Sequence, residues 1–126
     1  MSKKRILLVD DDPDVLETVK FFLNTSDFRV FIARNGREAL KQISAEKPDL
    51  VLLDIIMPVM DGLEVCKRLK NDPTTKPIPI IMLTAGGRRE DVVDSLSAGA
   101  NGYIVKPFNL PDLVERIEKV IDGKSE

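Results

Sequence analysis

Four points far apart in the chain share one local context: an apolar run that stops at a side chain able to do chemistry. Asp10 and Asp11 follow Arg5-Ile6-Leu7-Leu8-Val9, and Asp54 follows Leu50-Val51-Leu52-Leu53. Thr84 follows Ile80-Ile81-Met82-Leu83, and Lys106 closes Tyr103-Ile104-Val105. Each has an ordinary explanation when taken alone. An Asp after a strand is usually a turn residue or a helix cap, and a terminal Lys is a solvated strand end. Brought together they read differently. Three carboxylates in one crevice repel and raise each other's pKa. A hard divalent cation relieves this, and a small all-oxygen ligand set suits Mg²⁺. A hydroxyl and an ammonium opposite a metal suit a phosphoryl group, whose transfer needs charge neutralisation and alignment more than acid–base chemistry. Asp54 is the central acid, and a carboxylate can act as a nucleophile. The set therefore reads as an aspartyl-phosphate site.

The elements that must position these residues follow from periodicity. The run at Leu50–Leu53 has the continuous apolar character of a strand buried on both faces, as in parallel sheets. Pro58, Asp61 and Gly62 mark a loop behind it. The runs at Arg5–Val9, Phe28–Ala33, Ile80–Leu83 and Tyr103–Lys106 supply four more strands, with Arg29 marking the second as an edge. Between them lie helical patterns. The first opens with Asp12 as N-cap and Pro13 at the first helical position, with Val15, Leu16, Val19, Phe22 and Leu23 inward. Asn35 and Glu38 form a capping-box pattern before Ala39, Leu40 and Ile43, and Pro48 stops that helix. Asp61 and Glu64 form another before Leu63, Cys66 and Leu69. Gly86-Gly87-Arg88-Arg89 caps poorly, so the helix with Val92, Val93 and Leu96 should begin loosely. Asn109 and Asp112 box the last helix, whose inner face carries Leu113, Val114, Ile117, Val120 and Ile121. The alternation predicts an α/β fold, a single (βα)5 doubly wound, five-stranded parallel sheet; the order 2-1-3-4-5, known for such sheets, is the natural choice rather than a result of the alternation itself. In that order Asp10, Asp11 and Asp54 meet at the topological switch point, where such sheets bind ligands.

Composition narrows the function classes. At 126 residues the chain is within single-domain range, and 43% hydrophobic residues suffice for a core. Net charge is −2, so no basic field favours direct contact with nucleic acid. No apolar run approaches membrane-spanning length and no signal peptide is evident. Cys66 is the single cysteine, more readily a small core hydrophobe than a reactive thiol, and a cytoplasmic protein is the simplest reading. The chain has no His, which removes histidine triads, imidazole zinc sites and imidazole bases.

Val9-Asp10-Asp11, Asp54 with Met57-Pro58 and Asp61-Gly62, Thr84-Ala85, and Tyr103 with Lys106-Pro107-Phe108 resemble the receiver domain of two-component response regulators. The resemblance runs from Lys4 to about Asp122 and carries five separated motifs in order. It implies a flavodoxin-like, CheY-like fold and one receiver domain over residues 1–126; the output domain that the family often carries is not expected within this chain, whether it is a stand-alone receiver or an excised one. By that resemblance Asp54 accepts a phosphoryl group from a sensor histidine kinase or a histidine phosphotransfer protein. Asp11, Asp54 and the backbone carbonyl of Ile56 hold Mg²⁺, and Asp10 helps through water. Lys106 and Thr84 hold the phosphoryl oxygens, and Tyr103 turns inward as Thr84 moves. The same resemblance implies a cis Lys106-Pro107 bond and an effector-binding face on the fourth helix, fifth strand and fifth helix. It also implies a monomer or a phosphorylation-dependent dimer, and a phosphoacceptor that slowly dephosphorylates itself rather than a turnover enzyme. Ile56 and Gly86 fall where this family tunes phosphoryl lifetime, and neither side chain can hydrogen-bond a water.

Rival readings fare worse. A haloacid-dehalogenase-type phosphatase needs Thr or Val where Asp14 stands, and leaves Asp54 unexplained. A calcium loop on Asp10, Asp12 and Asp14 lacks its Gly, replaced by Val15, and its Glu, replaced by Phe21. A flavin module would need a phosphate-cradling loop where this chain has acids. A receiver-like scaffolding module working without phosphorylation is the remaining alternative. Asp12 is better explained as a cap than as a ligand, and the run from Arg88 to Asp91 as a solvated helix face.

Overall fold

A computed structural model describes residues 3–85 and 89–123. The strands are β1 (Lys4–Val9), β2 (Phe28–Ala33), β3 (Leu50–Asp54), β4 (Ile80–Ala85) and β5 (Gly102–Lys106). The helices are α1 (Pro13–Thr25), α2 (Gly36–Glu46), α3 (Gly62–Lys70), α4 (Arg89–Ser97) and α5 (Leu110–Ile121). All strand pairs are parallel, as the alternation predicts, and the order is the expected β2-β1-β3-β4-β5. Arg29 lies on the edge strand β2 and is exposed.

Successive side chains of a strand face opposite sides, so each buried run feeds two cores. Ile6, Leu8, Leu50, Leu52, Ile81 and Leu83 pack with Leu16, Val19 and Leu23 of α1 and with Leu113 and Ile117 of α5. Leu7, Val9, Val51, Leu53, Ile80 and Met82 pack on the other side with Ala39 and Ile43 of α2, Val65, Cys66 and Leu69 of α3, and Ala98. Burial on both faces is why the central runs carry no polar alternation.

Asp12 caps α1, accepting from the Asp14 N–H at 2.9 Å, with Pro13 behind it. Asn35, Asp61 and Asn109 cap α2, α3 and α5. The boxes are less complete than the sequence suggests. Glu38 accepts from Arg34 N, one residue before the cap (3.3 Å). The Glu64 and Asp112 side chains turn outward to Arg68 and Arg116. An ion pair one turn along competes with the cap for these carboxylates.

α4 departs from its apolar pattern. Val93 and Leu96 are about half exposed, and Ser95 is fully buried. The Ser95 hydroxyl donates to the Asp91 carbonyl at 2.7 Å, which satisfies it within the helix and lets it face the sheet. Gly86, Gly87 and Arg88, and with them the expected loose start of this helix, lie outside the described residues.

Beyond α3, the Lys70 ammonium donates to the carbonyls of Lys76 (3.0 Å) and Ile78 (2.8 Å) and to Asn101 Oδ1 (3.3 Å). Asn101 in turn exchanges hydrogen bonds with the backbone of Ile80 at the start of β4. One side chain thus ties the end of α3 to the loops before β4 and before β5.

Candidate functional site

Register brings the four polar strand ends to one edge. Val9 pairs with Leu53, so Asp10 is level with Asp54. Asp54 pairs with Leu83, so Thr84 stands one residue higher. Thr84 pairs with Val105, and Lys106 is one step above again. The site is a short staircase across the ends of β1, β3, β4 and β5, with Asp10 and Asp11 just past the last residue of β1.

Ligand atoms of Asp10, Asp11 and Asp54 all lie within 4.8 Å of one another. Asp10 and Asp54 are buried and Asp11 is exposed, so the cluster opens to solvent on one side. Lys106 Nζ is 2.7 Å from Asp10 Oδ2 and 3.5 Å from Asp54 Oδ1. Asp10 also accepts from the Asp12 N–H at 3.0 Å, which fixes its carboxylate through the turn that starts α1. Asp12 is spent on its cap, as the sequence suggests.

Burial raises the pKa of Asp54 to about 6, with the charges of Asp10 and Asp11 adding and Lys106 opposing. The Lys106 ammonium feels the reverse balance. Burial alone would lower its pKa, but the hydrogen bond to Asp10 and the charges of Asp54 and Asp10 outweigh it and the value rises. Three acids and one ammonium leave the crevice with excess negative charge. The donor set is all oxygen and a hard divalent cation fits it.

Thr84 is fully buried, and its Oγ1 has no hydrogen-bond partner among the described residues. Strand alternation puts Thr84 on the same face of β4 as Met82. Tyr103 pairs with Met82 in the neighbouring strand and packs, half-buried, against the core on that face. Thr84 and Tyr103 are therefore diagonal neighbours on one sheet face, the arrangement that coupling between them requires. The Lys106-Pro107 bond is cis.

The loop after Asp54 holds features that the sequence reading passed over. Gly62 was a loop marker there. Its backbone lies against the end of β3, and a Cβ at 62 would stand 2.2 Å from the Asp54 carbonyl oxygen. The Gly62 N–H donates to Ile55 O at 2.7 Å and closes the loop. Inside it, Met60 N donates to Pro58 O at 2.8 Å, and Val59 between them has φ 72°. A bond from residue i+2 back to i with positive φ at the centre is a strained γ-turn, here built on a β-branched residue. Ile56, two residues past Asp54, is 64% exposed. Gly86 lies outside the described residues.

The family model for the response regulator receiver domain matches residues 6–118. The response regulator MprA of Mycolicibacterium vanbaalenii is 43% identical over 93% of this chain and 50% of its own length. The phosphate regulon transcriptional regulatory protein PhoB of Pseudomonas aeruginosa is 40% identical over 96% of this chain and 53% of its own. The chain thus spans about half the length of these curated relatives. A CheY-like response regulator receiver domain protein from Methanospirillum hungatei superposes with a TM-score of 0.90 at 38% identity, covering 97% of this chain and 96% of that one.

Proposed function

The chain belongs to the response regulator receiver family of two-component signalling, and from that premise we propose that Asp54 is its phosphoryl acceptor. The observation that carries the proposal is the crevice itself: a buried carboxylate beside two more acids, a lysine on their far side and a buried hydroxyl with no partner among the described residues. The donor is a phosphohistidine of a sensor histidine kinase or of a histidine phosphotransfer protein. An Asp54 oxygen attacks phosphorus, the P–N bond breaks, and the imidazole nitrogen leaves with the electron pair. Ionised Asp54 is the nucleophile, so a pKa near 6 leaves it mostly charged at neutral pH.

Asp11, Asp54 and the carbonyl of Ile56 would hold Mg²⁺, with Asp10 acting through water. When bound, Mg²⁺ supplies positive charge against the carboxylates and the phosphoryl oxygens. Asp10 holds Lys106 in place, and Lys106 is aimed across the crevice at Asp54. The Thr84 hydroxyl is available to a phosphoryl oxygen and to nothing else described around it. Drawing Thr84 toward that oxygen frees space for Tyr103, and the face of α4, β5 and α5 carries the change to an effector. Val93, Leu96 and Val105 are exposed on these elements and suit a partner surface. The shift is a bias on two existing states rather than a new structure. The family is a signalling one, and slow self-dephosphorylation completes the cycle. A monomer or a phosphorylation-dependent dimer in the cytoplasm, with no direct nucleic-acid contact, fits this role. No helix among the described residues is long and apolar enough to cross a membrane.

Intact mass after incubation with acetyl phosphate and Mg²⁺ tests the assignment. The parent should gain one phosphoryl mass and Asp54→Asn none. Full labelling of Asp54→Asn would overturn it.

A further inference from the structure

We infer that Gly36 is a positioning residue for the acceptor loop, an inference that rests on the phosphoryl-acceptor reading of Asp54. Gly36 opens α2, on the far side of β1 in sequence, and is buried. No positive φ demands glycine there, so the reason for it is space. A Cβ at 36 would stand 2.8 Å from the Met60 carbonyl oxygen, 2.9 Å from Met60 Cβ and 2.9 Å from Val65 Cγ2. Two of these three atoms belong to a position that cannot swing away as a flexible side-chain end would. Met60 closes the γ-turn on Pro58, and Val65 sits fully buried in α3.

The loop from Ile55 to Gly62 is therefore held at three points. Gly62 lies against the Asp54 carbonyl at one end, the Gly62 N–H to Ile55 O bond closes it, and Gly36 supports Met60 from beneath. The strained turn at Val59 stays in place only while its surroundings fix it. Ile56, whose carbonyl is proposed to hold the metal, lies within this closed loop. A methyl at Gly36 pushes Met60 and moves the loop as a unit, because Met60, Pro58 and Val59 are bonded into one turn. Helix propensity argues the other way, since Ala is the better helix former. Any loss in Gly36→Ala thus comes from the contacts with Met60 and Val65 and not from the propensity of α2.

The test compares Gly36→Ala with Ile43→Val, which trims a buried methyl from the same helix about two turns from Gly36. Labelling by acetyl phosphate is followed against Mg²⁺ concentration, and amide exchange is followed without donor or metal. In Gly36→Ala the Met60 and Gly62 amides should exchange faster. The Mg²⁺ needed for half-maximal labelling should rise, and the maximal rate should fall about tenfold, as small displacements of reacting groups do. Ile43→Val should lose stability while keeping the parent's metal dependence and loop protection. If Gly36→Ala does not fold, Gly36→Ala/Val65→Ala against Val65→Ala carries the same comparison, because Met60 O still blocks the methyl. Unchanged exchange at Met60 and Gly62, or an equal labelling loss in Ile43→Val, overturns the inference. A parent that takes no label overturns the acceptor reading instead, and the exchange arm still decides the role of Gly36.

Discussion

The Lys106 ammonium is anchored on Asp10, 2.7 Å from Oδ2, and stands 3.5 Å from the nearer oxygen of Asp54. The cation that offsets the charge of Asp54 is thus fixed by its buried neighbour Asp10. It does not offset it fully, and the Asp54 pKa remains near 6 against an ordinary 3.8.

This shift has a sign that can be checked. A carboxyl whose pKa is higher folded than unfolded binds its proton more tightly when folded. Its contribution to stability is full below about 3.8 and is lost as pH rises through about 6. At pH 7.5 ionised Asp54 therefore costs about 3 kcal/mol. Urea unfolding without Mg²⁺ should show Asp54→Asn more stable than the parent by about that much at pH 7.5 and equal to it near pH 4. A constant difference across that range would contradict the account.

Metal should reverse the penalty. Mg²⁺ should raise the melting temperature of the parent at pH 7.5, as a ligand of the folded state must, and raise that of Asp54→Asn much less. Asp11→Ala should lose more Mg²⁺ affinity than Asp10→Ala. Loss of a group acting through another typically costs about 10–100-fold, and a direct ligand more. Asp10→Ala should show a second effect, because it releases Lys106 and slows labelling even at saturating Mg²⁺.

The sheet was legible because its signal is strong and redundant. Runs such as Leu50–Leu53 are buried on both faces, so no polar residue interrupts them. Asp10, Asp54, Thr84 and Lys106 were legible because strand order and register alone bring strand ends together. What stayed hidden depends on contacts between distant residues or on one torsion angle. Nothing in the letters Pro58-Val59-Met60 announces a positive φ at a β-branched residue. Nothing near Gly36 shows that Met60 will lie over it. Ser95 turned inward because its hydroxyl is satisfied within α4, which an apolar count cannot register.

Phosphoryl lifetime should respond to Ile56. An aspartyl phosphate is lost when water attacks in line, at a rate set by how well that water is placed. Ile56 is exposed two residues past Asp54, and its side chain offers no hydrogen bond. Ile56→Asn should release phosphate faster from purified phosphoprotein, and Ile56→Asn with Gly86→Glu about tenfold faster, if roughly 1.4 kcal/mol of barrier is at stake. Equal or slower release in the double variant would show that access to the phosphoryl group governs its lifetime.

The Lys70 junction should matter for stability and not for chemistry. Lys70→Met keeps the stem and removes the ammonium that serves Lys76 O, Ile78 O and Asn101 Oδ1. The loss should be about 1–3 kcal/mol, read from urea unfolding, with faster exchange in the loop before β4. Labelling of the folded variant should match the parent. A large labelling defect at full foldedness would give Lys70 a role beyond the scaffold.

The Thr84 hydroxyl, without a partner among the described residues, should set stability against the proposed response to phosphate. A buried polar group without a partner costs about 1–3 kcal/mol, so the resting molecule sits above the lowest free energy its backbone allows. Thr84→Val keeps the shape and removes the orphan. It should unfold at higher urea without donor, yet gain less stability than the parent on phosphorylation. Ranked by resting stability, Val leads, and ranked by response to phosphate, Thr leads. A screen for thermal robustness alone would thus select receivers that no longer respond.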